Sequence, residues 1–347
     1  MSIPTKLRIA QVAPMVFPVP PETHGGTERV VADLTEALTA QGHDLTLFAG
    51  SDSHTSARLL SASASLKSLC PDTEVPGMLG VLESANLSQL RGRLADFDII
   101  HCHTDSAHIA VLGAARGKSL TTIHWRTDQD DRQTMFHLFP DLPVAAISAS
   151  QARHIPDKNL LGVVHHGIPE TRFHCGPGGG PLAFIGRMTD QKRPDAAIRI
   201  AKQAGFALRL AGTVDMGNPL YFERHVKPHL GGHADYIGPV DDGAKQDLLG
   251  HARALLFPID WPEPFGLVMI EAMACGTPVV AMNRGSVPEI IEDDVTGFIV
   301  DNEEEAAEAV RRAAGLDRQR IRARFEERFT ATRMAADYEA MYRKLIA

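Results

Sequence analysis

Residues 261–280 read WPEPFGLVMIEAMACGTPVV, and no other stretch of this chain is as informative. Its middle, 267–274, consists of good helix formers without an internal breaker, and the two prolines ahead of it confine the helix start to about Phe265 or Gly266. The Gly-Thr-Pro that follows ends the helix, and two β-branched valines begin a short buried strand. The stretch therefore predicts a loop, a helix and a strand in direct succession.

Two glutamates in this stretch have different expected positions. Glu263 lies on the loop that enters the helix, whereas Glu271 lies roughly two turns inside it. Between them, the amides of Phe265, Gly266 and Leu267 point off the helix N-terminus, where an anion would be stabilised. A carboxylate on each side of an anion site suits a ligand that carries both phosphate and hydroxyl groups.

The same stretch resembles the donor site of retaining glycosyltransferases of family 4. The spacing of the two glutamates is weak evidence by itself, but Phe-Gly-Leu after the first and Ala-Met-Ala-Cys-Gly-Thr-Pro-Val-Val after the second make the match specific. The resemblance implies that Glu263 binds hydroxyls of the transferred sugar, that Glu271 binds the ribose of the nucleotide, and that the intervening amides lie near sugar and phosphate. The alternative is a solvated helix face with two ordinary glutamates; it is disfavoured because an unpaired Glu271 in an apolar run would be costly.

The composition is that of a globular protein long enough for two domains. The 347 residues are 44% hydrophobic and 22% charged, with no apolar run long enough to span a membrane. The N-terminus lacks the pattern of a signal peptide, and four scattered cysteines predict free thiols, so we expect a cytoplasmic protein. A net charge of −8 disfavours nucleic acid as a partner but allows a local basic pocket for a diphosphate.

Strand-like and helical patterns alternate along the chain, typical of parallel α/β sheets. The predicted strands are 7–12, 44–48, 97–101, 119–123, 144–147, 161–165, 182–185, 208–211, 236–237 and 254–257. The predicted helices are 28–40, 195–204, 267–274, a pair within 303–328, and 334–346, while 52–96 gives only a weak helix-and-loop pattern. The glycine- and proline-rich run 175–181 is interpreted as an interdomain linker.

This alternation on both sides of a linker predicts two Rossmann-like parallel-sheet domains that face each other across a cleft, with ligands at the carboxyl ends of the strands. The family fold, called GT-B, has this architecture. The resemblance implies an acceptor-side domain over 1–170, a donor-binding domain over 171–330, and a final helix, 331–347, that crosses back to the first domain.

A glycine pair, Gly25-Gly26, precedes the first helix and lets the backbone approach a ligand closely. The pattern is not the GxGxxG dinucleotide fingerprint, since only two glycines are present. It resembles the Gly-Gly-x-Glu of family 4, on a loop that lines the phosphates and the acceptor. Glu28 then has two open interpretations: a residue of that site, or a first-turn carboxylate that complements the helix dipole.

The strand 182–185 is followed by Gly186, then by Arg187 and, five residues later, by Lys192. Two cations after a strand that ends in glycine can hold a diphosphate, and the resemblance implies this role for Arg187 and Lys192. The family often has Gly where this chain has Arg193, so which of the two neighbouring cations reaches phosphate is open. Solvated loop cations are the alternative. No metal ligand set is needed, because these cations and the helix amides can neutralise a leaving group.

Three histidines lie at predicted strand ends. Alone, His124 would more often be structural than catalytic, but the resemblance implies a hydrogen bond to the donor sugar. His101 and His103 have the HxH spacing of metal ligands without a third ligand pattern, so a cleft-lining or packing role is favoured. The segment 237–240, which ends at Val240, resembles the family loop that cradles the nucleotide base largely through backbone groups.

Together with these residues, the resemblance implies a metal-independent, cofactor-free retaining glycosyltransferase that moves a sugar from a nucleotide diphosphate sugar, most commonly a UDP-sugar, to an acceptor hydroxyl. His124, Arg187, Lys192 and Glu263 are the predicted catalytic residues. Three alternatives remain: a glycosidase with Glu263 and Glu271 as its carboxylate pair, a dinucleotide-dependent oxidoreductase, and a non-catalytic sugar-nucleotide sensor. The acceptor, small molecule, glycan or lipid, is not readable from the sequence; peripheral membrane contact is compatible with it.

Overall fold

The described strands form two parallel sheets, each flanked by helices. A computed structural model describes residues 4–22, 25–71 and 75–347. The chain divides into unit 1, Met1–Gly167 with Ala331–Ala347, and unit 2, Ile168–Thr330. The predicted α/β class is confirmed. The first crossing between units falls three residues before the predicted boundary of 170/171, and the chain returns to unit 1 at the predicted residue 331.

Unit 1 contains, within the described residues, a seven-stranded sheet with parallel neighbours throughout. Its strands are β1 Arg8–Val12, β2 Asp44–Phe48, β3 Arg58–Leu60, β4 Ile99–Cys102, β5 Ser119–Thr122, β6 Val144–Ala146 and β7 Leu160–Val163. Its helices up to β7 are α1 Gly26–Ala40, α2 Leu66–Leu69, α3 Met78–Arg91, α4 Ile109–Leu112, α5 Asp130–Leu138 and α6 Ala149–Ala152. The strand order β3-β2-β1-β4-β5-β6-β7 reverses direction between β1 and β4.

Unit 2, all of whose residues are described, contains a six-stranded parallel sheet in the order β10-β9-β8-β11-β12-β13. Its strands are β8 Leu182–Ile185, β9 Leu208–Ala211, β10 Ala234–Tyr236, β11 Leu255–Phe257, β12 Val279–Met282 and β13 Gly297–Val300. Its helices are α7 Pro194–Ala204, α8 Pro219–Tyr221, α9 Asp242–His251, α10 Leu267–Ala274, α11 Val287–Ile290, α12 Glu303–Ala313 and α13 Arg318–Arg328. The order reverses between β8 and β11.

The last helix, α14 Ala331–Ile346, belongs to unit 1. It buries Met334, Tyr338 and Tyr342, none of which exposes any of its surface. The central strand β1 is likewise covered on both faces, because neighbouring residues such as Ile9 and Ala10 are both fully buried. Within the described residues, no helix combines the length and apolar character needed to cross a bilayer.

The interpretation of 175–181 as an interdomain linker is wrong. The run lies inside unit 2 and is held there by backbone hydrogen bonds from Gly178 to Gly250 (2.9 Å) and from Gly180 to His251 (2.8 Å). Arg318 of α13 adds a hydrogen bond of 2.9 Å to the carbonyl of Gly176. Glycine is needed here for close approach, since a Cβ on Gly176 would lie 2.3 Å from the carbonyl oxygen of Gly250.

Candidate active site

All the predicted donor-site residues of unit 2 except Val240 lie after the two strands between which the sheet order reverses. Gly186 and Arg187 come directly after β8, and Glu263 lies on the loop after β11. β8 and β11 are parallel neighbours, so their carboxyl ends lie at one edge of the sheet. This edge is where open α/β sheets bind ligands.

Lys192 and Glu263 are in direct contact. The Lys192 ammonium donates to Glu263 Oε2, which also accepts a hydrogen bond of 2.8 Å from the indole nitrogen of Trp261. The ammonium also lies 4.9 Å from the centre of the Trp261 ring. Both donors use one carboxylate oxygen, so in the described part of the chain Oε1 of Glu263 remains available to a hydroxyl group.

The three cations near β8 have different surroundings. Arg187 is exposed, and its guanidinium makes no hydrogen bond or ion pair with any described residue. Arg193, in contrast, is bound to Asp195 at 3.1 Å and lies 3.6 Å from Asp260. Both neighbouring cations are thus paired with carboxylates, and of the two it is Lys192 that contacts a predicted donor-site residue, Glu263, which favours Lys192 as the cation directed to a ligand.

Helix α10 begins at Leu267, one residue after the later of the two predicted starts. Gly266 precedes it with φ 84°, a left-handed conformation that favours glycine. In the described part of the chain, the amides of Gly266 and Leu267 have no hydrogen-bond partner. A side-chain hydrogen bond stabilises this turn: the Ser286 hydroxyl donates to the carbonyl of Phe265 at a distance of 2.7 Å. These amides form the helix N-terminus expected to attract an anion.

Gly285, which the sequence analysis did not single out, allows a close backbone approach to Glu263. A Cβ on Gly285 would lie 2.3 Å from the carbonyl oxygen and 2.4 Å from the amide nitrogen of Glu263, and its φ is 55°. The next residue, Ser286, donates its amide to the Glu263 carbonyl at 3.0 Å. The loop 283–286 therefore supports the segment that carries Glu263.

Glu271 has a partner that the sequence analysis missed. Lys245 of α9 donates a hydrogen bond of 2.7 Å to Glu271 Oε1, and the two side chains are 10% and 5% exposed. The ammonium of Lys245 offsets part of the solvation free energy that the Glu271 carboxylate loses by burial in an apolar helix. Lys245 belongs to no motif that the sequence analysis recognised. Its position on the helix that follows the loop at Val240 was the one sequence feature that could have indicated it. No hydrogen bond to Oε2 of Glu271 is formed by the described residues.

The loops after β8, β9 and β10 are joined by backbone contacts. Gly186 donates its amide to the carbonyl of Ala211 (3.0 Å), and Gly212 donates to the carbonyl of Gly238 (2.9 Å). A Cβ on Gly212 would lie 1.9 Å from the Gly186 oxygen. Val240, two residues after Gly238, is half-buried at the same edge of the sheet. The structure thus brings the predicted diphosphate and base loops together within unit 2.

In unit 1, His124 follows β5 and is partly exposed. Its Nε2 lies 2.9 Å from Nδ1 of His103, and its ring stacks on His166 at 5.2 Å between centres and 18° between planes. Burial lowers the pKa of His124 to about 3, so the ring is neutral near pH 7. His101 and His103 are buried beneath it, and the described residues contain no group of three or more side chains placed to hold a metal ion.

Helix α1 begins at Gly26, preceded by Gly25 with φ 132°. Thr23 and His24, which precede this pair, lie outside the described residues. Glu28, in the first turn of α1, is only 4% exposed, and its burial raises its pKa to about 7. Both interpretations of Glu28 stay open, but the carboxyl group is buried rather than solvated.

Comparisons with known proteins match this architecture. Residues 180–329 match the family described as glycosyl transferases group 1, and residues 24–155 match glycosyltransferase family 4. A phosphatidyl-myo-inositol mannosyltransferase of Mycolicibacterium smegmatis is 26% identical over 330 residues, 85% of this chain and 81% of the relative.

Two solved structures are similar over nearly the whole chain. AviGT4, a glycosyltransferase involved in avilamycin A biosynthesis, is 26% identical with a TM-score of 0.73 over 98% of both chains. A sucrose-phosphate synthase from Thermosynechococcus elongatus, 21% identical, has a TM-score of 0.80 over 98% of this chain and 99% of that chain, which shows a shared fold.

The fold and these matches define an α/β protein of the GT-B class. More particularly, the chain belongs to glycosyltransferase family 4, among the group 1 glycosyl transferases, as its motifs predicted. It is an enzyme that transfers a glycosyl group, and we set aside the glycosidase, oxidoreductase and sensor alternatives.

Proposed function

We propose that this enzyme transfers a hexose from a nucleotide diphosphate sugar to an acceptor hydroxyl with retention of configuration, without a metal or a cofactor. The observation that carries the proposal is the group at the edge of the unit 2 sheet: the Lys192–Glu263 pair, the exposed Arg187, and the amides that begin α10. This group combines positive charge for a diphosphate with a carboxylate oxygen for a sugar hydroxyl.

Each predicted residue has a role in this proposal. Arg187, Lys192 and the α10 amides stabilise the charge that develops on the departing diphosphate, the electrostatic contribution that usually dominates in such reactions. Glu263 orients the sugar through its free oxygen. Glu271, held by Lys245, accepts hydrogen bonds from the ribose. The backbone around Gly186 and Val240 contacts the phosphate and the base. In unit 1, Gly25 and Gly26 approach the phosphates, and His124 binds the transferred sugar.

The transfer itself needs no protein nucleophile. The bond between the anomeric carbon and the diphosphate oxygen breaks, and a bond to the acceptor oxygen forms on the same face of the sugar. The acceptor proton passes to an oxygen of the departing phosphate, so the products are the glycoside and the nucleoside diphosphate. Because the electrostatic groups act on the leaving group, we expect their removal to lower turnover more than stability.

A UDP-sugar is the first donor to test, and the name of the M. smegmatis relative adds mannose as the sugar and myo-inositol lipids as acceptors. A panel of UDP- and GDP-sugars would be screened for thermal stabilisation, since a donor at 100 times its Kd adds about 2.7 kcal/mol of stability. Transfer to inositol, inositol phosphates and phosphatidylinositol vesicles would then be measured with and without EDTA. A cytoplasmic location stays a prediction that cell fractionation can test.

Variants connect the assay to the site. Lys192→Ala and Arg187→Ala should each lower turnover by about 100-fold or more, by the size of a lost electrostatic contact in a transition state. Lys202→Ala is the matched control, because Lys202 is exposed in the last turn of α7. Near-normal turnover in Lys192→Ala would overturn the assigned role, and stabilisation by no nucleotide sugar would overturn the proposed donor class. Product from a retaining enzyme has the anomeric configuration of the donor, which NMR of the glycoside shows.

A further inference from the structure

A continuous chain of hydrogen bonds runs from His124 into the core of unit 1. His124 Nε2 lies 2.9 Å from His103 Nδ1, and His103 Nε2 lies 2.8 Å from Oε1 of Gln11 on β1. The amide nitrogen of Gln11 donates to the hydroxyl of Tyr342 on α14 at 3.3 Å. His103 is 3% exposed, and Gln11 and Tyr342 are fully buried, so water does not compete for these contacts.

The chain continues beyond Tyr342. The Tyr342 hydroxyl lies 2.7 Å from His101 Nδ1, and His101 Nε2 lies 2.7 Å from the Thr122 hydroxyl. Thr122 in turn contacts the Tyr338 hydroxyl at 3.0 Å. A neutral histidine ring has one donor nitrogen and one acceptor nitrogen, so the direction of the Gln11–His103 hydrogen bond determines the direction of the His103–His124 hydrogen bond.

Gln11 determines that direction, because its side chain has a distinct donor end and a distinct acceptor end. Its oxygen faces His103, so His103 Nε2 must carry a proton. Burial lowers the pKa of His103 well below its usual range, so the ring is neutral and its Nδ1 is an acceptor. His124 must then donate from Nε2, which leaves its own Nδ1 unprotonated. No described residue hydrogen-bonds to that Nδ1.

We propose that Gln11, acting through His103, fixes His124 as the Nε2–H tautomer, so that His124 presents Nδ1 to its ligand as a hydrogen-bond acceptor. Gln11 and His103 are positioning residues. That the ligand is a sugar rests on the proposed function; the tautomer does not. His124 would accept a hydrogen bond from a sugar hydroxyl and would not bind a ligand oxygen that carries no hydrogen.

The tautomer can be measured in the free protein. NMR of the enzyme labelled with ¹⁵N-histidine distinguishes protonated from unprotonated ring nitrogens, and a His124→Gln variant identifies the His124 signals among those of the 16 histidines. At pH 7.5 we expect both His124 and His103 to show an unprotonated Nδ1 and a protonated Nε2. A protonated Nδ1 in His124 would overturn the proposal.

A variant tests the causal role of Gln11. In Gln11→Leu, which removes both ends of the amide, we expect the His124 signals to report a mixture of tautomers and the donor KM to rise about tenfold, the size of one lost hydrogen bond. Thr104→Val is the matched control. It removes the 2.8 Å hydrogen bond between Thr104 and the buried His108, and neither residue belongs to the hydrogen-bond chain that leads to His124. An unchanged His124 tautomer in folded Gln11→Leu would contradict the assignment. If Gln11→Leu does not fold, the wild-type spectrum still decides.

Failure of the proposed function gives a different result. If the His124 tautomer is as proposed but no nucleotide sugar is bound or transferred, the donor assignment is wrong and the roles of Gln11 and His103 as positioning residues stand. If transfer is observed but His124 carries its proton on Nδ1, the donor assignment stands and these positioning roles are wrong.

Discussion

Lys245 Nζ lies 2.7 Å from Glu271 Oε1, and each side chain is at most 10% exposed, so the ribose-binding candidate of this enzyme is one half of a buried ion pair. The two residues come from different helices, α9 and α10. A buried carboxylate needs such a partner to remain charged without a large desolvation cost. The stability of the pair and the proposed role of Glu271 in donor binding can be measured separately.

Lys245→Met should lower the free energy of unfolding by about 3–5 kcal/mol, because it leaves the Glu271 carboxylate buried and unpaired. In Lys245→Met/Glu271→Leu, most of that loss should be recovered, since an apolar pair replaces an ionic one of similar volume. Donor affinity should stay low in both variants. Urea unfolding and calorimetric titration with the donor would measure the two effects. Recovery of donor affinity in the double variant would show that Glu271 does not bind the ribose.

Gly285→Ala should damage the Glu263 segment. The new Cβ would overlap the Glu263 backbone, and alanine is strained at φ 55°, so we expect a loss of about 1–3 kcal/mol of stability and at least about a tenfold loss of turnover. The control is Gly243→Ala in the first turn of α9, where the nearest atom to a Cβ is 3.5 Å away, at Asp241 Oδ1. That variant should keep its turnover and gain a few tenths of a kcal/mol, up to about 1 kcal/mol. Equal effects of the two substitutions on turnover would be inconsistent with the support role of Gly285.

Glu28 should make stability fall as the pH rises. Its pKa is about 7 in the folded chain against 4.5 when exposed, so its contribution is fully present below pH 4.5 and is lost by about pH 7. The full loss is about 3 kcal/mol, at 1.36 kcal/mol for each pH unit. Because the buried histidines contribute the opposite slope below pH 6.5, the Glu28 contribution is read from the difference between variant and wild type. Relative to the wild type, Glu28→Gln should gain about 3 kcal/mol between pH 4.5 and 7, whereas Glu22→Gln, at an exposed position, should not. Chemical denaturation of all three proteins from pH 4.5 to 8 would measure these differences.

The buried histidines should act in the opposite direction, at lower pH. Burial lowers the pKa of His108 to about 3 from 6.5, so its contribution is present above pH 6.5 and is lost as the pH falls towards 3. Between pH 6.5 and 5, His108 alone should account for about 2 kcal/mol. We expect His108→Gln to reduce this acid-side slope and His137→Gln, at an exposed position of α5, to leave it unchanged. Identical acid-side slopes in the wild type and His108→Gln would contradict the burial effect.

Much of the fold could be predicted from the sequence because the residues that begin and end its helices act locally. Two prolines before α10 placed its start within one or two residues of Leu267, and the Gly-Thr-Pro after it indicated its end at Ala274. The short edge strands β3 and β13 were missed. The run 175–181 was misinterpreted because its glycines and prolines are typical of a flexible linker. The residues that hold it in place, such as Arg318, lie far away in the sequence and could not be identified from it.

The site shows the same division. Family motifs indicated Lys192 and Glu263 separately, but no pattern indicates that the two side chains touch, because their contact depends on the β8–β11 neighbourhood in the sheet. Lys245, Gly285 and Gln11 carry no motif at all. Each of them acts by a contact with a residue distant in sequence, and such contacts follow from the topology rather than from local composition.

Tyr338 and Tyr342 complete the interior of unit 1 from the far end of the chain. A ribosome delivers the strands that carry His101 and Thr122 first, then all of unit 2, and only then the helix that bears the two tyrosines. Unit 2 takes on the order of 10 s to synthesise at about 5–20 residues per second. Throughout that time His101 and Thr122 of the nascent first unit lack their tyrosine partners, which have not yet been synthesised. Unit 2 can therefore complete its folding during translation before unit 1 does.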